Sequence, residues 1–215
     1  MRSRLSEIFA YARVWMICAV LLCILASASC KRSGNSSGID ILGPADETAE
    51  AAKLVASANE DLTKIKVLYD ANEGDGAKLG KREQLKAAME KNDTVAAKKI
   101  ADDVVYLIND GASSGNDAVD KLQKAQEMQI NDDYREYLRL KEESLKLELQ
   151  AFEEYRQAAR TLRDNYDPKN GTLREKVKDE FKTRSENYRA IMEKARDYSK
   201  RANMVAKEAL QKQGS

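Results

Sequence analysis

The chain has 215 residues, with 37 Lys+Arg against 36 Asp+Glu, two Pro, three Cys and no His. That balance argues against a general nucleic-acid binder, which carries a basic excess to displace counterions. The missing His removes the Ser-His-Asp and Cys-His nucleophile systems, the usual zinc sites and the Glu-x-x-His helices of di-iron bundles.

The N-terminus carries Arg2, Arg4 and Arg13 against the single acid Glu7, followed by an uncharged apolar run from Val14 to Ala26. A small-residue exit, Ser27-Ala28-Ser29-Cys30, leads into the polar stretch that begins at Lys31. A positive start, a short apolar run and small residues at its end predict a signal peptide over 1–29. The uncharged stretch Val14–Cys30 is 17 residues long. That is the lower edge of the roughly 17–25 needed to span a bilayer, so an uncleaved anchor stands as a rival.

All three cysteines lie here: Cys18 and Cys23 inside the apolar run, Cys30 at its exit. Ser27-Ala28-Ser29-Cys30 resembles the lipobox of bacterial lipoproteins, and the resemblance covers only the signal and these four residues. It implies that Cys30 takes a diacylglycerol, that the signal is then cut before it, and that the new amine is acylated. Two or three acyl chains are enough for stable membrane attachment, where one is marginal. By the same family rule, Lys31 after the cysteine implies export to an outer membrane where the organism has one. The rival is plain cleavage after Ala26-Ser27-Ala28, which leaves Cys30 as a free thiol. A secreted domain that relies on disulfides shows an even set of cysteines in its body, and this body has none.

Residues 30–45, polar and Gly/Ser-rich, predict a lipid-anchored flexible tether. Without Arg2, Arg4, Arg13 and Glu7 the remainder holds 34 basic and 35 acidic residues, too even to steer a charged partner.

From Pro44 onward the apolar period is helical, and 46–212 predicts an all-α domain. A first helix, about Asp46–Ala71, carries Val55, Ala58, Leu62, Ile65 and Tyr69 at spacings of three and four, with Pro44 and Asp46 suited to its start. Asn72–Gly80, with three glycines, breaks it. A second helix runs to about Asn109, its stripe staying in phase across Asn92-Asp93-Thr94. Asp110–Gly115 reads as a loop. A third helix, Asn116–Asn165, spans roughly 75 Å at 1.5 Å per residue, with Asn131-Asp132-Asp133 as a kink or break. Tyr166–Gly171 is a turn, because Pro168 cannot continue a helix and Gly171 tolerates positive φ. Thr172–Glu175 reads as a capping box for the last helix. The sum is an elongated antiparallel helical bundle of about four long helices, with a coiled-coil-like hairpin projecting beyond the two shorter helices.

The acid-rich runs, such as Lys141-Glu142-Glu143, read as a solvated face laced with i,i+4 pairs like Glu142–Lys146, Glu180–Arg184 and Asp197–Arg201. No acid is placed where burial would shift it. The glycine loops fail the EF-hand spacing, and no phosphate-cradling glycine motif occurs. Lys86–Lys98 looks like a helix–turn–helix, but no 34-residue recurrence makes it a solenoid. No catalytic, cofactor or metal residues are assigned. Six tyrosines lie on or beside the two long helices, with rings at the edge of the stripe and hydroxyls in water.

The expectation is a non-enzymatic, lipid-anchored envelope protein facing the periplasm or exterior. It binds the membrane through its acyl chains at Cys30 and a protein partner through its helices, and it binds no nucleic acid. An extracytoplasmic ligand-binding or sensing bundle is the alternative. The projecting tip, with Tyr155, Leu162, Tyr166, Leu173 and Val177, is the candidate contact surface.

Overall fold

The computed structural model of the protein describes residues 46–74 and 78–213. The expected signal peptide, Cys30 and the expected tether lie outside them. The described residues are all-helical, with five helices: α1 (Thr48–Glu73), α2 (Lys81–Glu90), α3 (Thr94–Gln126), α4 (Asp132–Asn165) and α5 (Gly171–Gln213).

Four of the five helix starts, all but that of α2, have a local side-chain cause. Asp46 Oδ1 accepts the Thr48 N–H at 3.0 Å and opens α1. Asp93 accepts from the Ala96 N–H (3.0 Å) and Asn131 from the Tyr134 N–H (2.8 Å). Both side chains satisfy an orphan first-turn donor. The phase-continuous stripe across 92–94 therefore does not hold one helix together. Asn92 takes φ 53°, a left-handed conformation that Asn tolerates, and Asp93 then starts a new helix. The same logic ends the predicted fifty-residue third helix: α3 stops at Gln126 and α4 restarts behind Asn131.

Two further expectations are corrected. Asp110–Gly115 is not a loop but lies within α3. A Cβ on Gly111 would sit 2.7 Å from Leu68 Cδ1, and one on Gly115 would sit 2.3 Å from Leu149 Cδ2. These glycines let α1 and α4 pack close against α3. The capping box at Thr172–Glu175 is also not formed. Asn170 Oδ1 accepts the Leu173 N–H at 3.0 Å, Thr172 is exposed inside the helix, and Gly171 does not have positive φ. Asn170→Ala should therefore cost about 1 kcal/mol, a fall of about 2–4 °C in melting temperature. Thr172→Ala should change it little, and the reverse order of effects would restore the capping box.

Cross-links fix the packing directions. Glu47 N–H donates to Gln129 O at 3.0 Å, Lys121 pairs with Asp61 at 2.5 Å, and Leu68 meets Gly111, so α1 runs antiparallel to α3. Lys81 pairs with Asp103 at 2.6 Å, placing α2 along the first half of α3. Gln126–Glu142 (2.6 Å), Asn109–Arg156 (2.7 Å) and Asp102–Arg163 (3.3 Å) pair α3 with α4. Thr161–Glu180 (3.2 Å), Ser144–Ala195 (2.9 Å) and Asp133–Lys212 (3.0 Å) match α4 and α5 from end to end.

Leu85, Val104, Leu138, Leu140, Leu162 and Val177 are among the side chains buried almost completely in one continuous core. The projecting hairpin is thus absent from this arrangement. With α3 ending at Gln126, the 34-residue α4 is matched by α3 and α5. The α2–α3 turn covers the end near Tyr166.

Candidate functional site

The structure places four of the five candidate contact residues in the core and the fifth against it. Tyr155, Leu162 and Tyr166 are fully buried and Val177 nearly so, while Leu173 is partly buried against the same cluster. The Tyr166 hydroxyl donates to Met89 O at 3.3 Å, and Lys178 reaches Asn92 Oδ1 at 2.8 Å. The turn at Tyr166–Gly171 is thereby roofed by α2 and its following turn, which corrects the expectation of an exposed tip. The physical reason is the break at Asn92-Asp93: it folds α2 back beside the first half of α3, over the ends of α4 and α5.

The most elaborate polar arrangement lies where α1 gives way to α2. Arg82 Nε and Nη2 meet both carboxylate oxygens of Glu73, at 3.0 and 2.8 Å. Tyr188 Oη and Asn72 Nδ2 donate to Glu73 Oε1 at 3.0 and 3.1 Å. A two-point Arg–carboxylate contact is among the stronger side-chain pairs, and here the side chains are only 22% and 16% exposed. Both oxygens are engaged, which makes the node a clasp between helices and not a free base. Behind it, Tyr155 packs edge-on against Phe181 (5.8 Å) and tilted against Tyr188 (5.5 Å); Phe152 bridges Tyr188 and Tyr69. Burial pushes the phenols of Tyr155 and Tyr188 far above their usual range. Tyr155 Oη and Asn72 Oδ1 are buried with no hydrogen-bond partner in the protein.

The loop between α1 and α2 is held to this node by glycines. Gly74 takes φ 91°, and a Cβ on Gly80 would sit 2.3 Å from Asn72 O. Beside the node a cavity of about 10 Å³ lies among Ile65, Leu68, Asn72, Ile108 and Phe152. That is about one water's worth of space, too little for an organic ligand.

Three acids sit in or beside the packed seams, contrary to the expected fully solvated face. Asp61, 5% exposed, is paired with Lys121 and Lys64, and the Lys121 hydrogen bond chiefly holds its carboxyl below the usual range. Glu142 is 7% exposed. Burial pushes its carboxyl up, but Lys146, Gln126 and Gln123 together bring it below the usual value. The predicted Glu142–Lys146 and Glu180–Arg184 pairs form, at 2.5 and 3.0 Å. Asp197 instead pairs with Lys200 (3.2 Å), while Arg201 lies over the Tyr198 ring.

Glu148 differs from these. Burial against α5 pushes its carboxyl up to about 7, against the opposing pull of Lys141, Ser144 and Arg196. A raised carboxyl favours the protonated folded state, so its stabilising contribution is complete below about pH 4.5 and lost as pH rises through about 7. At full burial such a shift is worth about 3 kcal/mol; solvent around the half-buried side chain reduces that to about 1–2 kcal/mol. Glu148→Gln should therefore be the more stable protein at pH 8, with the advantage vanishing by pH 5. Parallel melting curves of both proteins across that range would refute the shift.

Sequence reasoning placed Asn72 at the start of a loop and passed over Glu73 and Arg82. Asn72 does fall three residues past Tyr69, at stripe spacing, which was the available signal. Among the described residues no group of three or more His, Cys, Asp or Glu is placed to hold a metal ion, and no helix is long and apolar enough to cross a membrane. No family model, curated protein or solved structure matches this chain.

Proposed function

We propose that this chain is a lipid-anchored bacterial envelope protein whose helical domain, at the end of a short tether, has a non-enzymatic structural or partner-binding role. The observation that carries the reading is the distribution of cysteine: Cys30 stands where a signal-type leader exits, and no cysteine follows it. Acylation at Cys30 holds the domain at the periplasmic or exterior membrane face, and at an outer membrane where there is one. The helices are read as four antiparallel rods, the first interrupted between α1 and α2, packed with coiled-coil-like seams. With the tip residues covered, the large apolar side chains exposed among the described residues are Val67, Leu79, Val95, Tyr106 and Met204, of which Val95 and Tyr106 share α3.

The test is Cys30→Ser in the native envelope. It should release the protein from the membrane fraction or trap the precursor with its leader attached. Normal leader removal together with unchanged membrane attachment would sink the proposal.

A further inference from the structure

We propose that α1 and α2, tied to each other by the Arg82–Glu73 pair, form a strap that opens as a unit from an α3–α4–α5 framework, with the Tyr188–Glu73 hydrogen bond as its catch. The longer part of the strap, α1, is thinly held by fully buried apolar contact, and the short α2 adds Leu85, Ala88 and Met89. The fully buried residues of α1 are Ala51, Val55, Ala58, Asp61, Ile65 and Asn72, two alanines, a charged residue and an amide among six, while its larger apolar side chains Leu54, Leu62 and Tyr69 are only partly buried against the core. α4, by contrast, buries four leucines, Phe152 and two tyrosines. Apolar stabilisation scales with the area removed from water, so the fully buried face of α1 gains less per turn than that of α4.

Its attachment is also one-sided. The close backbone approaches of α1 are to α3 and α2; it meets α4 through the edge contact of Tyr69 with Phe152, and its links to α5 are polar: Glu73 to Tyr188 at 3.0 Å and Tyr69 to Arg196 at 3.4 Å. The packing faults collect under the strap. Tyr155 Oη and Asn72 Oδ1 are buried there without partners, and the small cavity separates Leu68 from Phe152. Each unpaired buried polar group costs free energy that water would restore on opening. The framework, in turn, has its own continuous α4–α5 seam to keep it folded. Opening uncovers the cluster of Phe152, Tyr155, Phe181 and Tyr188. Segments with few apolar contacts and polar fastenings are those that open below the global unfolding free energy.

Native-state amide hydrogen exchange of the full chain, followed in rising denaturant, tests this. The α1 and α2 amides should share one opening at least about 100-fold more frequent than that of the α4 and α5 amides. Exchange of all five helices through one common opening would overturn the proposal. Two variants separate strap opening from general weakening. Ala190→Gly, at an exposed position of α5, should speed exchange of α4 and α5 about fivefold through helix propensity. It should leave α1 and α2 unchanged, because α5 stays helical when the strap is open. An equal increase in α1 and α2 would show that they open only when everything does. Tyr188→Phe, which removes the hydrogen bond from α5 to Glu73, should raise α1 and α2 exchange about tenfold; no increase would remove that bond from its role as catch.

Discussion

Tyr166→Ala should destabilise the fold by about 3–5 kcal/mol, the range for emptying a buried aromatic site, with a fall in melting temperature on the order of 10 °C. Tyr166 is the C-cap of α4, and its side chain is completely buried. Its ring lies within the core and its hydroxyl reaches Met89 O at the far end of α2. Truncation leaves a cavity and removes one of two donors to Met89 O, which keeps the Asn92 N–H at 3.1 Å. Tyr166→Phe separates the two effects. It keeps the ring and loses only the hydrogen bond, so it should cost about 1 kcal/mol. Chemical denaturation of the two variants measures both, and a near-neutral Tyr166→Ala would return this residue to the surface where sequence reasoning put it.

Gly115→Val should cost about 2–3 kcal/mol, although Val has the higher helix propensity by a few tenths. The new Cβ would lie 2.3 Å from Leu149 Cδ2 and 3.2 Å from Cδ1 and Cγ. Overpacking of that kind forces side chains off their rotamers or pushes helices apart. The clash is with one side chain, so it has a specific cure. Gly115→Val in a Leu149→Ala background should be less destabilised than the two single variants summed, by about 1 kcal/mol or more. Strict additivity, or a Gly115→Val protein as stable as the parent, would mean that α3 does not need glycine at this contact.

The breaks at Asn92 and Asn131 show where local reading reaches its limit. An apolar stripe that keeps its phase across a turn is equally compatible with one long helix and with two helices that share a core face. The Asn-Asp signals were visible in both places, but their strength against helix propagation depends on what the next helix packs on. Asp110–Gly115 shows the converse. Two glycines and two serines in six residues favour a loop by propensity, and burial against Leu68 and Leu149 overrides that preference. The node at Glu73 was illegible for a different reason: its members come from α1, α2 and α5, and no spacing along the chain brings Arg82 and Tyr188 together.

By itself the sequence determined the all-helical class, a turn after Tyr166, the i,i+4 pairs at Glu142–Lys146 and Glu180–Arg184, and the role of Asp46 just ahead of α1. These follow from periodicity and from contacts within one or two turns, which are local physics. Only the tertiary structure decided which glycines are helical, which of two neighbouring caps starts α5, and that Tyr155, Leu162, Tyr166 and Val177 are core. Those outcomes depend on which helices lie beside one another. That in turn depends on where the rods break, and so on free-energy differences of about 1 kcal/mol between a capped turn and a continued helix, settled by packing across the whole domain.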